Sequence, residues 1–155
     1  MLRFGKIPAS QGDEKCELAV SPDGRALTIT FSGFQVKLGG CKSPTSTAAR
    51  VFSYVLPLEG DAERAEVEFT VQGYVLATEG ATAAAVCSVN GQSVVADFPR
   101  PADQSILQKL TFAAEKPSEC RLCAVLVAGR DSRNADAEMF LNVTAIDAEI
   151  LPRPR

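Results

Sequence analysis

Cys120-x-x-Cys123 is the pair whose residue type and spacing come nearest to a reactive motif in this chain. Two thiols so placed serve elsewhere as a redox couple or as half of a tetrahedral zinc site. A redox couple sets its first cysteine at a helix N-terminus, where the helix dipole stabilises the thiolate. Here the pair runs into Cys123 to Ala128, CAVLVA, which has strand composition, and strand positions three apart face opposite sides. A zinc site would also have to recruit two of Cys16, Cys41 and Cys87, which form no second close pair. The cysteines therefore read as structural. In an oxidising compartment the five of them fit two disulfides and one free thiol, with Cys16, Cys41, Cys120 and Cys123 as the candidates for pairing. In a reducing compartment they are mostly buried small hydrophobes. Both readings stay open on the residues alone.

The chain has no histidine, which removes the usual general base of hydrolases and the commonest metal ligand. Carboxylates, cysteine or lysine are what catalysis would have left. A hydrolase built on two carboxylates needs them about 5–10 Å apart across a cleft, and no spacing singles out such a pair. The segment holding Asp131, Asn134, Asp136 and Glu138 offers oxygen ligands of the kind calcium takes. It lacks EF-hand spacing, and Arg130 and Arg133 neutralise it, so a solvated loop is the preferred reading. Asp61, Glu63 and Glu66 form a similar cluster in a charged connection. Asn142-Val143-Thr144 matches the glycosylation acceptor pattern but falls in a strand rather than a loop. Thr70, Gln72 and Tyr74 share the outward face of one strand. If that strand lies beside the one carrying Thr28 and Thr30, the two make a flat polar surface suited to a sugar or a partner protein. Ordinary solvent-facing sheet is the plainer alternative.

The elements that position these residues read as strands throughout. Residues 1 to 15 are polar and irregular, an N-terminal arm. A first strand runs from Cys16 to Val20. Ser21-Pro22-Asp23-Gly24 then reverses the chain, with Pro22 presetting φ and Gly24 tolerating a positive φ. Leu27, Ile29 and Phe31 next alternate with Thr28, Thr30 and Ser32, and Gly33 suggests a bulge before Phe34 and Val36 continue the pattern. Residues 38 to 47 read as a loop. Arg50 to Leu58 is a strand ended by Pro57. In Glu66 to Leu76 the apolar set Val67, Phe69, Val71 and Val75 alternates with polar neighbours, which a helix cannot accommodate. Asn90-Gly91 joins Ala83–Val89 to Ser93–Phe98 as a hairpin. Ile106 to Ala114 fits a helical stripe or a strand face, and its surroundings favour the strand. Arg121 to Ala128 is apolar on both alternations, as in a strand buried on both faces. Glu138 to Ile150 is a last long strand, and residues 151 to 155 are a Pro/Arg tail unable to join a ladder.

Eight or nine strands with little helix predict an all-β antiparallel sandwich or jelly roll over residues 16 to 150. A chain of 155 residues buries roughly 70% of the surface its unfolded form exposes, so it folds without staples. Its net charge is −3 with no basic stripe, which argues against a nucleic-acid partner. No segment approaches the roughly 20 apolar residues of a membrane-spanning helix. The first residues, MLRFGKIPASQGDEK, lack a continuous apolar core and do not read as a signal peptide.

The order of motifs resembles a family of small secreted β-sandwich proteins of unknown function, found in bacteria and fungi. Its members carry an early cysteine and an SPDG-x-ALT-x-x-F-x-x-F segment, matched here by Cys16, Ser21-Pro22-Asp23-Gly24, Ala26-Leu27-Thr28, Phe31 and Phe34. Leu56-Pro57-Leu58-Glu59-Gly60, Gly73-Tyr74 with the residues to Ala83, and Leu141-Asn142-Val143-Thr144 are similar to later family segments. The likeness spans residues 16 to 147. It departs where the family has Arg-x-x-Cys, because Arg50 is followed by Val51, Phe52 and Ser53. The resemblance implies secretion and a β-sandwich, and it carries over no catalytic residue; the residues by themselves also allow a cytoplasmic protein. The chain is therefore expected to be a non-catalytic module, without a cofactor, that presents a sheet face or loops to a protein or carbohydrate. A structural subunit of a homo-oligomer is the alternative, and a carboxylate hydrolase ranks last.

Overall fold

The computed structural model describes residues 1–7, 14–39, 46–61, 64–115, 119–131, 133–134 and 136–152. Eleven strands occur among them and no helix: β1 (Arg3–Phe4), β2 (Cys16–Val20), β3 (Ala26–Phe31), β4 (Gln35–Leu38), β5 (Thr47–Glu59), β6 (Arg64–Ala77), β7 (Ala81–Val89), β8 (Gln92–Phe98), β9 (Ala102–Glu115), β10 (Glu119–Arg130) and β11 (Met139–Ile150). They form two antiparallel sheets, ordered β1-β5-β10-β7-β8 and β2-β3-β11-β6-β9, with β4 following β3 along β11. This is the expected all-β sandwich, and its pairing is that of a jelly roll. β7 pairs β8, β6 pairs β9, β5 pairs β10 and β4 pairs β11. Each pair nests inside the next, as if one long hairpin with Asn90-Gly91 at its tip had been rolled up.

Local chemistry explains the elements. In β6, Val67, Phe69, Val71 and Val75 are buried while Gln72 and Tyr74 face out. At the hairpin tip Asn90 and Gly91 both take positive φ, 48° and 86°, the type I′ geometry that matches strand twist. In the Ser21–Gly24 turn the Gly24 N–H donates to the Ser21 carbonyl at 2.9 Å. Asp23 Oδ1 accepts from the Ser21 hydroxyl and the Arg25 N–H, and these bonds hold its carboxyl below the usual range. Ile106 to Ala114, ambiguous in sequence, lies within strand β9, because β6 supplies a ladder partner along the whole length of that strand.

The core lies between the sheets. Its centre is aromatic: Phe31 meets Phe52 edge-on at 4.7 Å and Phe34 at 5.1 Å, and Phe52 stacks on Tyr54 at 5.8 Å.

Several expectations are corrected. The N-terminal arm is not irregular throughout: Leu2 and Phe4 are buried, and Arg3–Phe4 pairs with Leu58–Glu59. Burying those two side chains repays the ordering of the segment. Residues 8–13 of the arm lie outside the described residues, as do 153–155 of the tail. The strand count exceeds eight or nine because β1 is added and because Ser32–Phe34 separates β3 from β4. Pro57 does not end its strand. It sits inside β5 opposite Glu119, and its carbonyl accepts from the Gly5 N–H at 2.8 Å. No disulfide occurs among the described residues: Cys16, Cys87, Cys120 and Cys123 are free. Cys41 lies outside them. Cys120 and Cys123 sit on opposite faces of β10, Cys120 fully buried and Cys123 half-exposed, which removes any pairing between them.

Candidate functional site

The outward face of the six-stranded sheet gathers the polar side chains that alternation expels from the core. Register puts Thr28 opposite Asp147 and Asp147 opposite Thr70, with Lys109 next across β9. The adjoining row is Thr30, Ala145, Gln72 and Leu107. Beyond it Asn142, Tyr74 and Ser105 lie abreast, then Phe140, Leu76 and Asp103.

Asp147 is the hub. Its Oδ1 accepts from the Thr28 hydroxyl at 2.6 Å and its Oδ2 from the Gln72 amide at 2.6 Å. One carboxylate thereby ties three strands, and both bonds carry the added strength of an ionised acceptor. Asn142 Oδ1 accepts from the Tyr74 backbone N–H at 2.9 Å. The Tyr74 hydroxyl donates to Asp103 Oδ1. That bond, then desolvation and the Asp103 charge, push the Tyr74 hydroxyl above its ordinary pKa. Lys109 Nζ pairs with Glu68 Oε1 at 2.8 Å along the same face.

Tyr74 is aimed by its neighbour in sequence. Gly73 faces the carbonyl oxygen of Asn142, and a Cβ there would collide with it. The close approach coincides with the register shift between Val143 and Ala145, where Thr144 is the extra residue of a bulge and its hydroxyl donates to the Gln72 carbonyl at 3.2 Å. The bulge and the glycine together set the angle between Gln72 and Tyr74.

Thr70, Gln72 and Tyr74 thus share a face as expected. Thr28 and Thr30 share it too, but their strand is not the neighbour of β6, because β11 runs between them. Of the residues that join the two halves, Asp147 and Asp103 were not singled out in the sequence, and Asn142 only as part of the glycosylation triplet. Asp147 did carry a signal, as an acidic residue alternating with the apolar Ile146 and Ala148, but its partners depend on sheet order.

The other candidates are not brought together. Asp131 Oδ1 accepts the Arg133 N–H and Asn134 Oδ1 the Asp136 N–H, so these oxygens close their own loop. No group of three Asp, Glu, Cys or His placed to hold a metal occurs among the described residues. Glu63 of the second acidic cluster lies outside them. Asn142 of the glycosylation triplet is inside β11, its side chain engaged by Tyr74. The two inward thiols Cys87 and Cys120 are pushed up by burial to about 12, the reverse of what a thiolate nucleophile needs. An open groove of about 640 Å³ lies between β1 and β2, lined by Lys6, by Arg3 and Glu59, which pair at 3.7 Å, and by Asp23, which accepts from the Ser21 hydroxyl.

No family model and no curated protein matches the chain. Among solved structures, the chain is similar to TmCBM61, determined in complex with beta-1,4-galactotriose, at 12% identity and a TM-score of 0.38 over 82% of this chain and 71% of that one.

Proposed function

We propose that the chain is a non-catalytic module that binds a carbohydrate on the outward face of its six-stranded sheet. One observation carries the reading: Asp147 links Thr28 to Gln72 across three strands, with Tyr74 and Leu76 exposed beside it. A sugar ring presents hydroxyls around its rim and C–H groups on its faces. The row of hydroxyl, carboxylate and amide groups answers the first, and Tyr74, Leu76 and the half-buried Phe140 answer the second. The groups are held by hydrogen bonds on a rigid sheet, so little side-chain freedom is lost on binding.

A panel of soluble oligosaccharides followed by calorimetry tests this. Wild type is expected to bind at least one member, and Tyr74→Ala and Gln72→Ala are each expected to weaken that binding about tenfold, or ~1.4 kcal/mol. Silence across the panel, or binding indifferent to both substitutions, sinks the reading. A partner protein captured through the same residues would keep the face and replace the ligand.

A further inference from the structure

The opposite face of the sandwich carries a different chemistry. On their outward alternations β10 carries Cys123, Val125 and Val127 in a row and β7 carries Ala84 and Val86 between Thr82 and Ser88, a largely apolar face that no other strand among the described residues covers. Register lines up Val51, Val125, Val86 and Val95 as one row across β5, β10, β7 and β8. Val51 and Val95 at its ends are 60% and 53% exposed. The adjoining row, Ser53, Cys123, Ser88 and Ser93, consists of small side chains alone. No charge interrupts either row. The nearest lie one row further out on each side, Arg121 opposite Val55 and Asp97 opposite Ala84.

We propose that this face is the interface of a homodimer, packed sheet on sheet with a second copy of the chain. The valine row is a ridge and the serine–cysteine row beside it a trough. A two-fold axis parallel to the rows and between them lays each ridge in the other copy's trough, the self-complementarity an isologous contact requires. The same operation brings the row of Arg121, whose guanidinium also pairs with Glu119 at 2.7 Å, over the second copy's row of Asp97, so each margin holds charges of both signs. The outward positions from Thr47 to Val55 on β5 and their partners on β10, β7 and β8, with strands about 4.8 Å apart rising about 3.4 Å per residue, make a face of roughly 550 Å², four strands wide at its middle. Two copies then bury about 1,100 Å², enough for a specific interface. The polar faces carrying Asp147 and Tyr74 stay outward on both sides of the pair.

Sedimentation equilibrium of the whole chain tests the proposal, run at about 100 μM, well above a micromolar dissociation constant. Wild type is expected to have the dimer mass, and Val51→Glu with Val95→Glu the monomer mass. Because both sites are exposed, circular dichroism should show the fold intact. Cys123, inside the interface, should react with a maleimide several times faster in the doubly substituted chain. A wild-type monomer at that concentration overturns the proposal and hands the face to another partner. A dimer that survives both substitutions also overturns it, since its interface must then lie elsewhere.

Discussion

Cys87 and Cys120 show how burial converts a reactive residue type into an inert one. Both face the core, and both thiols titrate near 12 instead of their ordinary 9.0. For Cys87 desolvation leads and the neighbouring Cys123 adds to it; for Cys120 burial alone acts. The folded state therefore keeps its protons where the unfolded chain releases them. The contribution of these thiols to stability should be constant below about pH 9 and fall as pH rises toward about 12, each thiol costing about 1.4 kcal/mol per pH unit in between. Urea titrations across that window check this. A Cys87→Ala, Cys120→Ala chain should be less stable at neutral pH and should show a flatter alkaline slope. Thiol counting adds a second readout, in which Cys123 is modified in the folded protein, at a rate the dimer slows, and Cys87 and Cys120 only on unfolding. The spacing Cys120-x-x-Cys123 suggested chemistry, and strand alternation already argued against it. Which thiol faces the core is decided by the strands packed around β10.

At the scale of the element, Gly73 and Gly91 are held for different reasons. Gly91 has open space around it but takes φ 86°, so Gly91→Ala pays only the left-handed backbone penalty, about 1–2 kcal/mol. Gly73 needs no special φ but lies against the Asn142 carbonyl, so Gly73→Ala must push two paired strands apart, about 1–3 kcal/mol. Chemical denaturation of both variants measures these costs. A further difference separates them: Gly73→Ala also displaces Gln72 and Tyr74 and should weaken ligand binding, while Gly91→Ala, on the far sheet, should leave it unchanged. The Asn90-Gly91 turn was readable because both residues act locally. The role of Gly73 was not, because the atom it avoids belongs to β11, about seventy positions along the chain.

For the whole molecule, the nested pairing makes the outermost contacts the most distant in sequence, as where Thr28 meets Asp147. Loop-closure entropy then favours the β7–β8 hairpin early and the closing of β11 on β3 late. Asn90→Ala should therefore slow folding more than it speeds unfolding, and Asp147→Ala the reverse; stopped-flow chevrons separate the two. The core that makes closure worthwhile centres on Phe52, in contact with Phe31, Phe34 and Tyr54, and Phe52→Ala should cost about 3–5 kcal/mol in urea. The period-2 patterns in β3 and β6, the two tight turns and the absence of histidine needed no coordinates: they follow from side-chain alternation and backbone sterics, which act within a few residues. Sheet order did need them. That Asp147 comes between Thr28 and Gln72, that the N-terminal residues Leu2 and Phe4 close the core, and that four valines align on the outward face of the five-stranded sheet all result from pairing between strands far apart in sequence. The alternation in each strand settles which way a side chain points, and only the packing of the whole chain settles what it meets there.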